Sequence, residues 1–286
     1  MGALVCGALA VLPGCPQVVK PGGAPEAEKT DDTDKGEFDE LQAQAAKLGF
    51  NLREAESRAD AFGVGLRTKE ALFSRRVNSR TWFAQDTRHK GSPFAGSDEE
   101  LQQRARRVLG ELGIRQEEVA RATVLQEWLQ GAPRGEGKSE PAAPQKGRRM
   151  ALLERQVGGL PVFDSHLKLS LGKDGGIELM ELHWPELPAA AIREARRLAF
   201  KARNGFRPPE LANATPESVE AGILHSSAYG SFLEVQPVIR VIYKPAGKVT
   251  GKKPVLYLDR DGKPAPAPRQ IEIPCKAPEP PREGKN

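Results

Sequence analysis

The stretch that most constrains this chain runs from Met150 to Trp184, MALLERQVGGLPVFDSHLKLSLGKDGGIELMELHW. Met150 to Val157 is apolar and stops at Gly158-Gly159. Leu160-Pro161-Val162-Phe163 then stays extended, because the residue before a proline is pushed out of the helical region. Leu167, Leu169 and Leu171 alternate with His166, Lys168 and Ser170, the period-two pattern of a strand with one polar face. Lys173-Asp174-Gly175-Gly176 reads as a hairpin turn, since glycine after aspartate supplies the positive φ that tight hairpins need. Ile177 to Trp184 returns as the partner strand, with Met180, Leu182 and Trp184 on one side. The expectation is a β meander on which nothing is visibly catalytic.

The rest of the chain is read around that meander. Leu41, Ala45 and Leu48, then Leu52, Ala55 and Ala59, have helical spacing interrupted at Gly49-Phe50, which predicts two short helices. Leu72-Phe73 and Thr81-Trp82-Phe83-Ala84 read as short strands separated by Asn78-Ser79. Ser97-Asp98-Glu99-Glu100 matches a capping box, and Leu101, Ala105, Val108, Leu109 and Leu112 follow as one apolar stripe that Gly113 ends. Arg121 to Leu129 reads as a strand that pairs with Met150 to Val157, the Pro, Gly and Lys rich stretch 130–149 serving as a long hairpin loop or, in the competing reading, as a linker. Ala189 to Arg203 reads as a helix with Ile192, Ala195, Ala199 and Ala202 inward, stopped by Gly205. Thr215-Pro216-Glu217 has threonine as a cap and proline at the first position of a helical turn. Leu224 to Tyr229, Phe232 to Tyr243 and Val255 to Leu258 add strands, and the chain from Pro264 is proline rich.

Gln156-Val157-Gly158-Gly159-Leu160-Pro161-Val162-Phe163, followed by an alternating strand and by Asp174-Gly175, resembles the FTP/PepSY-type domains of thermolysin and fungalysin propeptides and of many secreted or lipoprotein-anchored bacterial proteins. The similarity is strong over about 35 residues and looser from Arg121 to about Ile273. What it implies is an α+β fold, an antiparallel sheet packed against helices with disordered N- and C-terminal tails. It also implies a role in binding, inhibiting or assisting a peptidase, or in presenting an extracytoplasmic surface.

The N-terminus agrees with export. Ala3 to Leu12 is an apolar run without a charge, too short to span a bilayer as a conventional helix and fit for the core of an export signal. Leu12-Pro13-Gly14-Cys15 resembles a bacterial lipobox, which makes Cys15 the candidate lipidation site. No Lys or Arg precedes the apolar run and a proline sits inside the box, so either the start lies upstream of Met1 or the signal departs from the pattern. Cleavage there removes Cys6 and leaves Cys275 as a lone thiol, which excludes an intramolecular disulfide and a cysteine metal cluster. Val18 to Glu40 is Pro, Gly and acid rich and reads as a tether. The resulting division is an export signal at 1–14, a disordered tether at 15–40, a mainly helical region at 41–120, the FTP/PepSY-like α+β domain at 121–275 and a disordered tail at 276–286.

Chemistry is harder to find. The four histidines, His89, His166, His183 and His225, lie far apart and none sits in a His-Glu-x-x-His motif. His166 and His183 approach each other across the expected hairpin, where two polar residues on a strand edge is the plainer account. No Gly-x-Ser-x-Gly elbow is present, Ser226-Ser227 beside His225 has no orienting acid, and Gly63-Val64-Gly65 lacks the later glycine of a phosphate loop. Asp259-Arg260-Asp261-Gly262 starts like a calcium loop, but Pro264 to Pro268 occupies the region where its glutamate belongs, so it reads as a turn. The net charge of +5 is a mixture of 43 basic and 38 acidic residues with no aromatic interleaving. That weighs against nucleic acid, for which Arg104, Arg106, Arg107, Arg148 and Arg149 are the candidates.

The reading is therefore a non-enzymatic extracytoplasmic binding or scaffold protein, a peptidase-modulating or envelope-associated lipoprotein. It assigns no catalytic residue, no cofactor and no metal. Its partners are a protein of the cell envelope, such as a peptidase, and the membrane through a lipid on Cys15, with nucleic acid excluded. The turn at Leu160, Pro161, Val162 and Phe163 is the candidate partner-binding segment if it is exposed, a buried corner being the competing reading, and the working surface is a sheet face or edge, where antiparallel strands capture extended chains. The alternative is a hydrolase whose site is assembled from dispersed residues such as His166, His183 and Asp174.

Overall fold

The computed structural model describes residues 32–60, 63–76, 81–91, 93–129, 145–226, 234–246 and 253–265. Cys6, Cys15 and Cys275, the export-type segment and the tail at 276–286 lie outside the described residues. Among those described, the α+β architecture expected from the sequence gives way to one dominated by a single mixed sheet of eleven strands, with only three α-helices. After α1 (Asp32–Lys47) come β1 (Glu56–Asp60), β2 (Gly63–Arg67), β3 (Ala71–Arg76) and β4 (Thr81–Asp86). α2 (Asp98–Glu111), β5 (Val119–Leu129), β6 (Gln145–Val157), β7 (Leu160–Leu171) and β8 (Ile177–His183) follow. α3 (Ala189–Arg203), β9 (Ala214–Ser226), β10 (Glu234–Pro245) and β11 (Val255–Leu258) complete the order among the described residues.

Four expectations are corrected by this order. The region 41–120 is not mainly helical, because four of its segments pair as a meander from β1 to β4. Leu52, Ala55 and Ala59 belong to no helix: Leu52 and Ala55 lie in the turn after Gly49, and Ala59 pairs with Val64. A spacing of three and four over so few residues is a weak signal, and a strand partner close by in sequence overrides it. Thr215-Pro216-Glu217 is the start of β9, where Thr215 pairs with Lys244 and Pro216 with Tyr243 beside a bulge, a place where a strand tolerates a missing donor. The tether expected to reach Glu40 is already helical from Asp32.

Other expectations are met. α2 is capped by Ser97, whose side chain accepts from Glu100 N at 3.1 Å while the Glu100 carboxylate accepts from Ser97 N at 2.7 Å. It buries Leu101, Ala105, Val108 and Leu109. β5 pairs with β6, and the β7–β8 hairpin turns at Lys173 to Gly176, with Gly175 at φ 81°. No helix among the described residues is long and apolar enough to cross a membrane.

β7 is the hub. Along one edge it pairs with β6, while its other edge is shared: β8 runs antiparallel to residues 166–171, and β9 runs parallel to Val162 and Phe163. Between these segments β6 has no gap, since Glu154 pairs with His166 and its neighbour Arg155 with Val162. Phe163, Asp164 and Ser165 are therefore extra residues, a bulge in which Asp164 adopts φ 62°, a left-handed conformation that aspartate tolerates better than most residues.

The bulge decides which residues face the helices. Leu153 and Arg155 lie two apart on β6 and share a face, so their partners Leu167 and Val162 share it too. Leu167 lies in the cluster beneath α1 and α2, with Phe73, Met180, Leu182 and Trp184, and Val162 lies beneath α3 with Ala195 and Ile223. All three helices thus cover one face of the sheet. The opposite face carries His166, Lys168 and Ser170 in one stretch, and in another Phe163, Leu224, Val238 and Tyr257.

Candidate metal centre

The sharing of one edge of β7 makes a site. β8 ends at His183 opposite His166, and β9 approaches the same bulge from the other direction, with His225 one residue past the Phe163 and Leu224 pair. Two strands therefore end head to head against one bulge, each presenting a histidine. Ser165 fixes the junction by donating its hydroxyl to the His183 carbonyl at 2.7 Å.

On the face away from the helices the hairpin register sets rows of side chains. His166, His183 and Thr81 lie in one row across β7, β8 and β4, and Lys168, Glu181 and Phe83 lie in the next. Directly opposed residues in an antiparallel pair have Cβ atoms about 5 Å apart. The His166 and His183 rings accordingly sit with centroids 5.2 Å apart. His183 Nε2 donates to Glu181 Oε1 at 3.1 Å, and Lys168 Nζ donates to Glu181 Oε2 at 3.0 Å. Among the described residues His166, Glu181 and His183 each bring one ligand atom to within 4.8 Å of the others, close enough to surround a single cation. The sequence reading, which assigned no metal, paired the two histidines but not Glu181, Lys168 or Thr81. A turn centred on Lys173 to Gly176 already places 168 opposite 181, so a tally of the hairpin's polar face finds Lys168 and Glu181, whereas Thr81 is brought in only by the non-local pairing of β4 with β8.

The electrostatics suit a cation. Glu181 is held down to about 2, first by the hydrogen bond from His183 and then by the Lys168 ammonium, so it is ionised throughout the neutral range. His166 is 4% exposed, and neither of its ring nitrogens makes a hydrogen bond of normal geometry. Burial, then the nearby His183 and Lys168, push it down to about 3, outweighing the Glu181 carboxylate and the Asp164 backbone, and it is a neutral imidazole with a lone pair to give. Buried polar nitrogens without partners cost roughly 1–3 kcal/mol each, a cost that a bound cation relieves.

His225 repeats the anomaly. It is fully buried, neither ring nitrogen is hydrogen-bonded, and burial followed by the His183 and Arg155 charges pushes it down to about 4. Arg155 is itself buried: Nε and Nη2 reach Glu118 Oε2 at 3.0 and 2.9 Å, Nη1 donates to the Pro185 carbonyl at 2.6 Å, and the guanidinium stacks 5.2 Å from the Trp184 ring. Trp184 Nε1 donates to the same Glu118 oxygen at 3.0 Å. Burial alone would raise Glu118, but these bonds from Trp184, Arg115 and Arg155 prevail and lower it.

The other residues singled out by sequence fall elsewhere. Leu160, Pro161, Val162 and Phe163 are not an exposed corner: they begin β7, and Leu160, Val162 and Phe163 are 6%, 3% and 6% exposed because β6 and β9 flank them. Asp174 does not join His166 and His183; it sits at the far end of the hairpin, where its Oδ1 lies 3.0 Å from His89 Nδ1. Asp259 Oδ1 accepts from Asp261 N and Lys263 N at 2.9 Å each, which is the expected turn. Arg104 pairs with Glu111, Arg148 with Glu127 and Arg149 with Asp98, so three of the five arginines proposed for nucleic acid are matched by carboxylates.

No family model matches the chain, and no curated protein is similar to it. Among solved structures it is similar to an uncharacterized protein from Eubacterium rectale, at 12% identity over 83% of each chain with a TM-score of 0.43.

Proposed function

We propose that this protein is a binding protein for a divalent transition-metal cation, held by His166, His183 and Glu181 where β8 and β9 meet the bulge of β7. The observation that carries the reading is the convergence of these three ligand atoms within 4.8 Å, one of them on a buried imidazole that makes no hydrogen bond of normal geometry. Two imidazoles and a carboxylate without thiolate suit Zn²⁺, Cu²⁺ or Ni²⁺ better than Ca²⁺ or Mg²⁺, which prefer all-oxygen shells. Lys168 acts from the second layer: with Glu181 Oε1 turned to the cation, Oε2 stays on the ammonium and the carboxylate keeps its orientation. Export and an anchor at Cys15 belong to the same proposal and rest on the sequence of the first 15 residues.

Titration of chelator-stripped protein with Zn²⁺ tests it. One site is expected in the wild type, weakened at least about tenfold by His183→Ala and by Glu181→Gln, both of which alter half-buried side chains and leave the core intact. Binding that is absent, or equal in all three proteins, would reject the site. A second reading is favoured by the ligand set itself, since two histidines and a glutamate with a further position free is an arrangement of catalytic zinc. Hydrolysis of p-nitrophenyl acetate by the zinc-loaded protein, lost in Glu181→Gln, would move the protein to that class.

A further inference from the structure

Thr81 lies directly opposite His183 on β4, on the face that carries the three ligands. It is 9% exposed, and its hydroxyl oxygen is buried without a hydrogen-bond partner. A hydroxyl is both donor and acceptor, and a strand neighbour normally satisfies it, so an idle one beside a cluster of metal ligands points to something that binds there. The surroundings set the charge of that something. Lys168 stands in the adjacent row, Phe83 forms an apolar wall opposite Glu181, and Glu154 lies on the far side of His166 with Arg121 beside it at 3.9 Å. Access is from the side of Glu181, His183 and Lys168, whose side chains are 28%, 16% and 21% exposed, while His166 closes the bottom.

We infer that the cation carries a small oxyanion as its remaining ligand, a carboxylate or phosphate with one oxygen on the metal and a second accepting a hydrogen bond from Thr81 Oγ1, in the positive field of Lys168. This rests on the metal-binding reading. The charges are consistent with it: a divalent cation, one glutamate and one lysine leave an excess of positive charge that water does not neutralise and an anion does. Coordination of the anion needs no further redox or group-transfer step.

Co²⁺ makes both halves visible, because its absorption in the visible range reports a change of ligand. The cobalt-loaded chain is titrated with sodium acetate and, separately, with inorganic phosphate, for the wild type and for Thr81→Val, which keeps the shape and removes the hydroxyl. The expected result is a saturable spectral change with at least one of the two anions, whose affinity falls about tenfold in Thr81→Val while Co²⁺ affinity changes less than about twofold. The responding anion identifies the class. Failure of Co²⁺ to bind would defeat the metal reading and this inference together. Cobalt binding with no response to either anion, or an unchanged anion affinity in Thr81→Val, would defeat this inference and leave the metal site standing.

Discussion

Acidification of the chelator-treated protein from pH 7 to pH 4 is expected to lower its stability by on the order of 5 kcal/mol through two buried histidines. The direction follows from His166 and His225, held in the folded chain at about 3 and about 4 against 6.5 when unfolded. Above pH 6.5 neither state binds the protons, and the folded state keeps its full advantage. Below it the unfolded chain takes up protons that the folded chain refuses, so stability falls by up to about 1.4 kcal/mol per pH unit for each imidazole. The loss continues down to about pH 4 for His225 and about pH 3 for His166. Glu181, depressed to about 2, adds its own loss only below about 4.5. Urea midpoints at pH 7, 6, 5 and 4 measure the slope, and His225→Leu is expected to reduce it by about half. A midpoint independent of pH over that range would mean that neither ring is held neutral by burial.

The second large effect is at Arg155. Arg155→Met is expected to cost about 3–5 kcal/mol, because it removes the buried partner of Glu118 and leaves that carboxylate with the Trp184 indole and the exposed Arg115. The same change strips a hydrogen bond from the Pro185 carbonyl, next to the end of β8. Adding Glu118→Gln to Arg155→Met is expected to recover part of the loss, since the carboxylate that has lost its buried partner is then no longer charged. Denaturant unfolding of the two single variants and the double variant decides this. Additive losses would show that the two residues act separately.

The hairpin was legible because alternation and a turn signal occur together in it. Leu167, Leu169 and Leu171 against Met180, Leu182 and Trp184 define its buried face, and the Asp-Gly turn fixes the register that brings His166 to His183. The capping box of α2 was legible for the same reason, as a local chemical signal with a local result. What sequence did not disclose is non-local. The parallel contact of β7 with β9 joins residues some sixty positions apart, and no periodicity announces it. The bulge at Phe163 to Ser165 shifts the strand's phase, so Leu160 to Phe163, apolar next to a proline, looks like an exposed corner and is in fact flanked on both edges. Burial of the polar face was hidden as well. Alternation marks His166 and Ser170 as facing away from the apolar core, and it does not say that they are 4% and 1% exposed. Of the meander β1 to β4, the short strands read at Leu72-Phe73 and at Thr81 to Ala84 are β3 and β4, whereas β1 and β2 were hidden because each is five residues long, too short for either period to declare itself.

X-ray absorption at the zinc edge of the protein loaded with one equivalent of Zn²⁺ tests the central claim most directly, since multiple scattering from imidazole rings counts the histidines around the ion. Two imidazoles with oxygen completing the shell are predicted, falling to one in His183→Ala. A shell with sulfur, or one without imidazole, would place the cation elsewhere in the chain and contradict the assignment of His166, His183 and Glu181.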